Sequence, residues 1–315
     1  MYRIGIDLGG TNIAAGIVNE SFEIVAKGST PTLASRPGEE IVADIAALCK
    51  KLCASIGITE ADVASLGIAS PGIVDDETGY ALNAHNLNFF NFPLIPLLRK
   101  ELSIPEMHIA NDANAAAWGE AIAGAAKGTS NSVMITLGTG VGGGIIIDGK
   151  VYSGFNYAGA ELGHIVIEHN GRQCSCGRRG CWEAYSSATA LIKMTNEKIE
   201  ECAATGRKTI MADAKRISGR TAFDAMRQGD AAGCEVVDMY IAYLVTGLAN
   251  IVNIFQPEVI SLGGGVSGEG QPLIDALLEG IHKEQYGLGI VAEPKIRIAQ
   301  LGNDAGIVGA AVFGM

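Results

Sequence analysis

The 315-residue sequence predicts an α/β protein built from two related halves. Apolar, strand-like segments alternate with alanine- and leucine-rich segments at helical spacing, which is the pattern of an α/β fold. A unit of two strands and a glycine loop occurs at the start of the chain and again in the middle, and such internal similarity indicates duplication. The composition favours a large folded core, since 48% of the residues are hydrophobic and 18% are charged.

Two strands joined by a glycine-rich loop form the repeated unit. The loops cover residues 7–12 and 138–144. The flanking strands are predicted at residues 2–6, 13–18, 132–137 and 145–151. A later strand also recurs, at residues 63–67 and 259–263, and glycines follow both copies. The second half carries additional residues between these segments, including a cysteine cluster.

Helical spacing of apolar residues predicts six helices. They are expected at residues 39–55, 113–123, 187–205, 221–227, 231–254 and 272–284. Residues 239–257 contain no charge and approach membrane-spanning length, but the polar residues among them favour a buried helix or a dimer face. A domain boundary is expected at Asn111, between a strand-like segment and an alanine-rich helix.

The charge balance and the start of the chain restrict the possible partners. A net charge of −11 repels nucleic acid and anionic membranes, so we expect neither as a partner. The first residues contain no apolar signal segment, and seven cysteines are an odd number for a disulfide scaffold. A reducing, cytoplasmic location is therefore expected.

The glycine loops suit phosphate binding better than dinucleotide binding. Residues 138–143 satisfy the pattern G-x-G-x-x-G, but a strand rather than a helix is predicted to follow. Residues 144–150 resemble a Walker A loop until Val151, which offers no hydroxyl for magnesium. Either loop alone could be an ordinary hairpin turn. Two loops in related halves instead favour backbone N–H groups that hold phosphates, with hydroxyls from Thr11 and Thr139 and with Asp7 holding Mg²⁺ through water.

Asn111 and Asp112 lie where a strand meets a helix. Either residue would be a good helix N-cap. A carboxylate there could also accept a proton from an attacking hydroxyl, because the helix N-terminus favours its ionised form. The two interpretations are compatible.

A histidine and three cysteines have the composition of a closed zinc site. These residues are His164, Cys174, Cys176 and Cys181. One imidazole and three thiolates complete a tetrahedral shell, so the Zn²⁺ would be structural; the alternative is a set of incidental thiols beside a core histidine. Glu161 and Glu183 flank the cluster, and two carboxylates fixed in this way could bind neighbouring sugar hydroxyls, although single glutamates are more often surface residues.

Six segments together resemble the ROK family of repressors, open reading frames and sugar kinases. They are Asp7-Leu-Gly-Gly-Thr11, Asn111-Asp112, Leu137-Gly-Thr-Gly-Val-Gly-Gly143, Glu161-Leu-Gly-His164, Cys174-Ser-Cys-Gly-Arg-Arg-Gly-Cys-Trp-Glu183 and Leu262-Gly-Gly-Gly265. The resemblance implies an actin-like ATPase (ribonuclease H-like) fold with two related α/β domains, a cleft between them and a zinc-binding insertion in the second. The domains would be residues 1–111 with a C-terminal helix at about residues 303–315, and residues 112–302; Asp304 is expected to cap that helix.

The family's residue roles carry over to matching positions of this sequence. Asp112 would be the catalytic base. The ATP site would comprise Asp7, Gly9, Gly10, Thr11, Gly138, Thr139, Gly264 and Gly265, the last two near adenosine. The sugar would contact Asn86, Asn111, Asp112, Glu161, His164 and Glu183, with His164 also a zinc ligand.

The resemblance implies an ATP-dependent hexose kinase that uses Mg²⁺ and carries structural Zn²⁺. Phosphorylation of glucose at the 6-hydroxyl is the leading hypothesis, because Asp112 and the three sugar-contacting residues of the zinc segment are all present. N-acetylmannosamine kinase and fructokinase activities are alternatives, since one pocket side chain can decide among these sugars. A non-catalytic sugar sensor and a purely structural zinc module are alternatives of another class. The family also implies a homodimer or homotetramer.

Overall fold

The computed structural model describes residues 1–287 and 289–315 and confirms the α/β class. The strands are β1 (Tyr2–Leu8), β2 (Asn12–Val18), β3 (Ile24–Pro31), β4 (Val63–Ser70), β5 (Ile73–Asp75), β6 (Tyr80–Ala84), β7 (Phe89–Phe92), β8 (Glu106–Asn111), β9 (Ser132–Leu137), β10 (Val141–Ile147), β11 (Lys150–Val151), β12 (Val259–Gly263) and β13 (Lys295–Ile298). The helices are α1 (Gly38–Ser55), α2 (Leu94–Glu101), α3 (Asp112–Ala123), α4 (Glu183–Ser186), α5 (Ala188–Thr205), α6 (Thr221–Arg227), α7 (Ala231–Phe255), α8 (Gln271–Glu284) and α9 (Ala305–Ala311).

Two five-stranded sheets have matching strand orders. One sheet has the order β3-β2-β1-β4-β8 and the other has β11-β10-β9-β12-β13. In the first, β1 pairs antiparallel with β2 and parallel with β4, and β4 pairs parallel with β8. In the second, β12 and β13 are parallel. Each predicted hairpin thus occupies the same position in its sheet as its counterpart, as duplication requires. A third sheet, β5-β6-β7, was not expected from the sequence.

All six predicted helices form, and local sequence explains where several begin and end. The α1 helix places Glu39 and Glu40 in its first turn and buries its apolar face. The Ser187 side chain accepts the Ala190 N–H at the start of α5, and Gly206 ends that helix with a left-handed φ of 71°. The short helices α2 and α4 were not predicted.

The second glycine loop is shorter than the predicted segment 138–144. The β10 strand begins at Val141 and ends at Ile147. The predicted strand 145–151 is therefore correct at 145–147 and at 150–151 but is interrupted between them, because Asp148 and Gly149, both with positive φ, turn the chain into β11. Gly143 and Gly144 lie within β10 because neighbouring atoms leave no space for side chains. A Cβ on Gly144 would lie 2.4 Å from the Ala117 Cβ.

Helix α9 packs directly on β4 and α3. A Cβ on Gly67 would lie 1.8 Å from the Ala310 carbonyl oxygen, and one on Gly309 would lie 1.7 Å from the Ala115 carbonyl oxygen. The fully buried Glu120 carboxylate accepts the N–H groups of Gln300 and Leu301, at 3.1 and 2.7 Å. These contacts fix the segment that leads into α9.

The Gly309→Ala substitution should therefore destabilise the protein. The added methyl group meets backbone rather than a flexible side chain, so α9 must shift, and we expect a loss of about 3 kcal/mol. Denaturant unfolding followed by circular dichroism measures the change. Gly219→Ala is the matched control, because its Cβ would make an ordinary 3.7 Å contact with Ala188. Equal stability of the two variants would contradict this description of α9.

The chain divides into two compact units. One comprises residues 1–134, 144–160 and 300–315, and the other comprises residues 135–143 and 161–299. These units differ in their bounds from the division expected at Asn111, which stays a prediction. The uncharged segment 239–257 lies mostly within α7. This helix is long and apolar enough to cross a membrane, yet half of its most apolar window is buried inside the protein. Burial on this scale is typical of a core helix.

Candidate active site and metal centre

Asn111 and Asp112 have separate tasks at the junction of β8 and α3. The Asn111 side chain caps α3 by accepting the N–H groups of Ala113 and Asn114, at 3.0 and 3.2 Å, and donates to the Gly72 carbonyl at 3.0 Å. The Asp112 carboxylate accepts the Ala113 N–H at 2.8 Å. Because Asn111 provides the cap, the Asp112 carboxylate is not required for that task.

Burial raises the pKa of two carboxyl groups in the first compact unit, those of Asp7 and Asp112. The Asp112 residue is exposed by surface area, yet surrounding protein removes enough water from its carboxyl group to raise the pKa; the Ala113 N–H opposes this effect. The Asp7 carboxyl lies on β1, and its pKa is raised first by burial and then by the negative charge of Asp112, while Lys27 lowers it. The two carboxylates are therefore near enough to repel each other.

The expected role of Asp304 as the cap of α9 is wrong, because its side chain pairs with Lys27 instead. The Asp304 side chain makes no cap hydrogen bond to α9 and instead forms an ion pair with Lys27. Lys27 lies on β3, so this ion pair joins that strand to the start of α9. Helix α9 begins immediately afterwards, and a Cβ on Gly306 would lie 3.5 Å from the Asp7 carboxyl carbon.

Backbone hydrogen bonds hold the first glycine tip closed. The Gly9 N–H donates to the Asn12 carbonyl at 2.9 Å, and the Thr32 hydroxyl donates to the Gly9 carbonyl at 2.6 Å. A Cβ on Gly10 would lie 3.0 Å from the Asn86 carbonyl oxygen. The structure thus brings Asn86, an exposed residue, beside the tip that carries Gly9, Gly10 and Thr11.

The second glycine tip is held by residues from distant parts of the chain. The Gly138 carbonyl accepts the Ala188 N–H and the Thr139 carbonyl accepts the Thr189 hydroxyl, each at 2.8 Å. Glu183 accepts the Val141 N–H at 3.1 Å. Sequence reasoning missed Thr189 as a supporting residue; the only local signal is its place in the first turn of a helix that Ser187 caps. A strand, β10, follows the tip, as expected for a hairpin and not for a dinucleotide-binding loop.

A cavity of about 450 Å³ opens beside the second tip. Its lining includes Thr139, Glu183, Arg172 and Lys193. The two cationic side chains lie within the same compact unit as the tip. Both cations also form ion pairs with Glu197, at 2.6 Å from Arg172 and 4.0 Å from Lys193. The backbone N–H groups and hydroxyls at the tip are therefore the cavity's suitable partners for phosphate oxygens.

The four predicted zinc ligands converge. One ligand atom from each of His164, Cys174, Cys176 and Cys181 lies within 4.8 Å of all the others. The Cys174 Sγ is 3.7 Å from the His164 Nδ1, and the Cys176 Sγ is 3.6 Å from the Cys181 Sγ. Two sulfur ligands of one tetrahedral Zn²⁺ lie about 3.8 Å apart, given Zn–S bonds of about 2.3 Å. The residues present therefore fit zinc.

Protonation of the thiols depends on their surroundings. Burial raises the pKa of the Cys181 thiol to about 12, whereas the Arg178 backbone N–H is the main cause that lowers the pKa of Cys176. Metal ligands must be deprotonated, so zinc binding would release a proton from Cys181.

The remaining predicted residues lie in the second compact unit. Glu183 connects the metal centre to the glycine tip, because Ser175 donates to its other oxygen at 2.9 Å. The exposed Glu161 precedes the turn that carries His164. Gly264 has a φ of 84°, and a Cβ there would lie 2.5 Å from the Leu137 carbonyl group, so its backbone packs directly against the residue before Gly138.

The fold and these residues define a class of protein. The matching sheets, the two glycine hairpins and the zinc-ligand cluster are those of sugar kinases with an actin-like ATPase fold. The ROK family model matches residues 3–314, and the chain therefore belongs to the ROK family.

The chain is similar over nearly its whole length to sugar kinases of this family. A glucokinase of Halalkalibacterium halodurans is 37% identical over 310 residues, which are 98% of this chain and 93% of the relative. A crystal structure of a ROK family glucokinase from Streptomyces griseus in complex with glucose and AMPPNP is 35% identical and has a TM-score of 0.76, covering 99% of this chain and 98% of that one. An N-acetylmannosamine kinase of Salmonella typhi is 30% identical, covering 99% of this chain and 98% of the relative.

Proposed function

We propose that this ROK protein is an ATP-dependent glucokinase, which transfers the γ-phosphoryl group of ATP to the 6-hydroxyl of glucose. The similarity to two glucokinases over nearly the whole chain supports the activity. The observation that carries the chemistry is the separation of tasks at the start of α3, where Asn111 caps the helix and Asp112 is available as a base. A non-catalytic sugar sensor would not need this arrangement.

Asp112 accepts the proton of the attacking hydroxyl in the proposed reaction. Its pKa is raised above the ordinary aspartate value, which makes it a better base than a fully hydrated carboxylate, while the helix N-terminus helps keep it ionised at neutral pH. Positioning of the sugar hydroxyl against the γ-phosphoryl group supplies much of the remaining rate enhancement. Asn86, Asn111, Glu161, His164 and Glu183 are proposed to orient the sugar.

The proposed donor site consists of the two glycine tips and the turn after β12. Backbone N–H groups of Gly10, Thr11 and Thr139 would bind phosphate oxygens. Gly9 and Gly138, whose own N–H groups donate to the Asn12 and Gly140 carbonyls, would shape the two tips around the phosphates. Gly264 and Gly265 would lie near the adenosine. Asp7 is the residue that would hold Mg²⁺, because a divalent cation offsets the repulsion that Asp7 experiences from Asp112. When bound, Mg²⁺ supplies positive charge to the phosphate oxygens.

Zn²⁺ has a structural role in this proposal. Four protein ligands leave no open position for substrate or water. The His164 Nδ1 faces Cys174, which leaves Nε2 on the opposite edge of the ring for a sugar hydroxyl. Zinc would in this way fix one sugar contact directly and Glu183 indirectly, through Ser175.

N-acetylmannosamine kinase activity is the second candidate, since a relative of that activity is 30% identical over nearly the whole chain. We further propose a cytoplasmic homodimer or homotetramer, and functional domains of residues 1–111 with 303–315 and of residues 112–302. Exposed apolar side chains on α7, including Ile254 at 67% exposure, are consistent with a subunit interface.

Product analysis tests the proposed reaction. Incubation with Mg²⁺, ATP and glucose should yield glucose 6-phosphate, detected by ³¹P NMR and by a dehydrogenase specific for that ester. A phosphate ester at another hydroxyl would contradict the assigned regiochemistry. ADP formation that does not depend on sugar would contradict the kinase assignment itself.

The raised pKa of Asp112 predicts an acid limb in the pH profile. The ionised form of Asp112 is the active base, so kcat/KM for glucose should fall as the pH decreases through the raised pKa. The fall should be centred at a higher pH than the value of about 3.9 expected for an unperturbed aspartate, and a profile measured from about pH 9 down to the acid limit of folding locates it. Circular dichroism at each pH controls for unfolding. A flat profile to the acidic end would contradict the assignment.

A further inference from the structure

Arg220 lies beside the turn that follows the proposed adenosine contacts. Gly264 and Gly265 lead into a 3-10 turn, Gly265–Glu269. The Arg220 guanidinium lies against this turn: its Nη2 is 3.7 Å from the position that a Cβ on Gly268 would occupy. Arg220 itself is exposed. The guanidinium of Arg220 therefore places a positive charge beside Gly268, near the end of the turn that is farther from Gly264 along the chain.

Arg227 lies near the same turn and differs from Arg220 in its partners. Arg227 donates to Glu269 at 2.6 Å and to Asp224 at 2.5 Å, and the Glu269 side chain is 7% exposed. Arg227 thus fixes the end of the turn. Among residues 1–287 and 289–315, no carboxylate forms an ion pair with Arg220. One arginine is structural, and the other is available for a ligand.

Local contacts hold Arg220 in place relative to the second glycine tip and to the turn after Gly264. The Ser218 N–H donates to the Thr221 hydroxyl at 2.9 Å, which fixes the loop that carries Arg220. A Cβ on Gly219 would lie 3.7 Å from the Ala188 Cβ, and the Ala188 N–H donates to Gly138. The loop is thus packed between the start of α5, which supports the phosphate-binding tip, and the turn after Gly264. All of these residues belong to one compact unit.

We propose that Arg220 stacks on the adenine base of bound ATP and determines the preference for a nucleotide donor; this inference rests on the proposed function. In this proposal the phosphates bind at Gly138 and Thr139, and the adenosine lies at Gly264. The adenine base then extends along the turn toward Gly268. A guanidinium is planar, weakly hydrated and well suited to stacking on an aromatic face. A phosphate-only donor has no base at this position, so Arg220 acts on nucleotides selectively.

Calorimetric titration of the full-length protein with MgADP tests the inference independently of turnover. Arg220→Ala should weaken MgADP binding about tenfold, and Arg220→Lys should recover only part of the loss, because an ammonium group is not planar. Arg216→Ala is the matched control, an exposed cation in the same loop, and should bind MgADP like the unsubstituted protein. Inorganic tripolyphosphate should bind equally to the unsubstituted protein and to Arg220→Ala.

Three binding results would overturn the proposed role of Arg220. Equal MgADP affinity of the Arg220→Ala variant and the unsubstituted protein would overturn the stacking role while leaving the glucokinase proposal intact. Equal losses for MgADP and tripolyphosphate would show a general electrostatic effect and would also overturn it. Failure of the unsubstituted protein to bind MgADP would overturn both proposals. Thermal melting of each variant verifies that the fold is retained.

Discussion

The Asp112→Asn substitution should lower kcat for glucose phosphorylation by about a thousandfold, with the affinity for glucose changed no more than severalfold. The amide is nearly the same size as the carboxylate, and its oxygen can still accept the Ala113 N–H. Asn111 continues to cap α3. The variant therefore removes the proton acceptor while preserving the local structure.

Turnover by ADP release and glucose binding by calorimetry together measure this effect. Glu106→Gln is the matched control, since it removes an exposed acid from the first position of the same strand, β8. It should retain normal turnover. An Asp112→Asn variant with more than about a tenth of the normal kcat would contradict the role of Asp112 as base, because a general base contributes at least about a hundredfold. Parallel loss of glucose affinity would instead indicate a binding role.

The Cys181→Ser substitution should abolish stoichiometric zinc binding and lower the melting temperature by at least about 10 °C. Cys181 is fully buried, and the Cys176 Sγ lies 3.6 Å away, so loss of one thiolate leaves an incomplete shell in the interior. The consequence extends to the proposed sugar site. Ser175, which lies between two ligands, orients Glu183 by a 2.9 Å hydrogen bond.

Elemental analysis and thermal unfolding measure the two parts of this prediction. Cys234→Ser is the control, because Cys234 is a partly exposed thiol on α7, outside the ligand cluster. It should keep one zinc per chain and an unchanged melting temperature. A Cys181→Ser variant as stable as this control would contradict a structural metal, as would unsubstituted protein that binds no zinc after dialysis against a zinc-containing buffer.

Periodicity predicted the long helices and the two hairpins well, because their apolar patterns are strong and local. It was less successful where glycines serve packing. Gly142 to Gly144 were predicted as part of a loop, yet they belong to β10. Glycine is needed within this strand for packing, because a Cβ on Gly143 would lie 2.7 Å from Leu162. The short strands β5 to β7 and the helix α2 were missed because a few residues give no clear period.

The metal centre was the most predictable part of the site, since its ligands are close in sequence and chemically distinctive. The supports of the second glycine tip were not predictable. Glu183 and Thr189 contact Val141 and Thr139 across 42 and 50 positions of the chain. Such contacts depend on the tertiary fold and have no local sequence signal. Asp304 was assigned as a cap from its position alone, but the long side chain of Lys27 provides a stronger, charged partner.

The most direct test of the glucokinase proposal is the rate of ADP release from Mg²⁺ and ATP with glucose, N-acetylmannosamine, mannose, fructose, allose or no sugar. We predict rapid release with glucose, much slower release with each other sugar, and no release above background without sugar. Selectivity for N-acetylmannosamine or fructose would contradict the assignment of glucose while preserving the mechanism. No stimulation by any of these sugars would contradict the proposal that this ROK protein is a kinase of these hexoses.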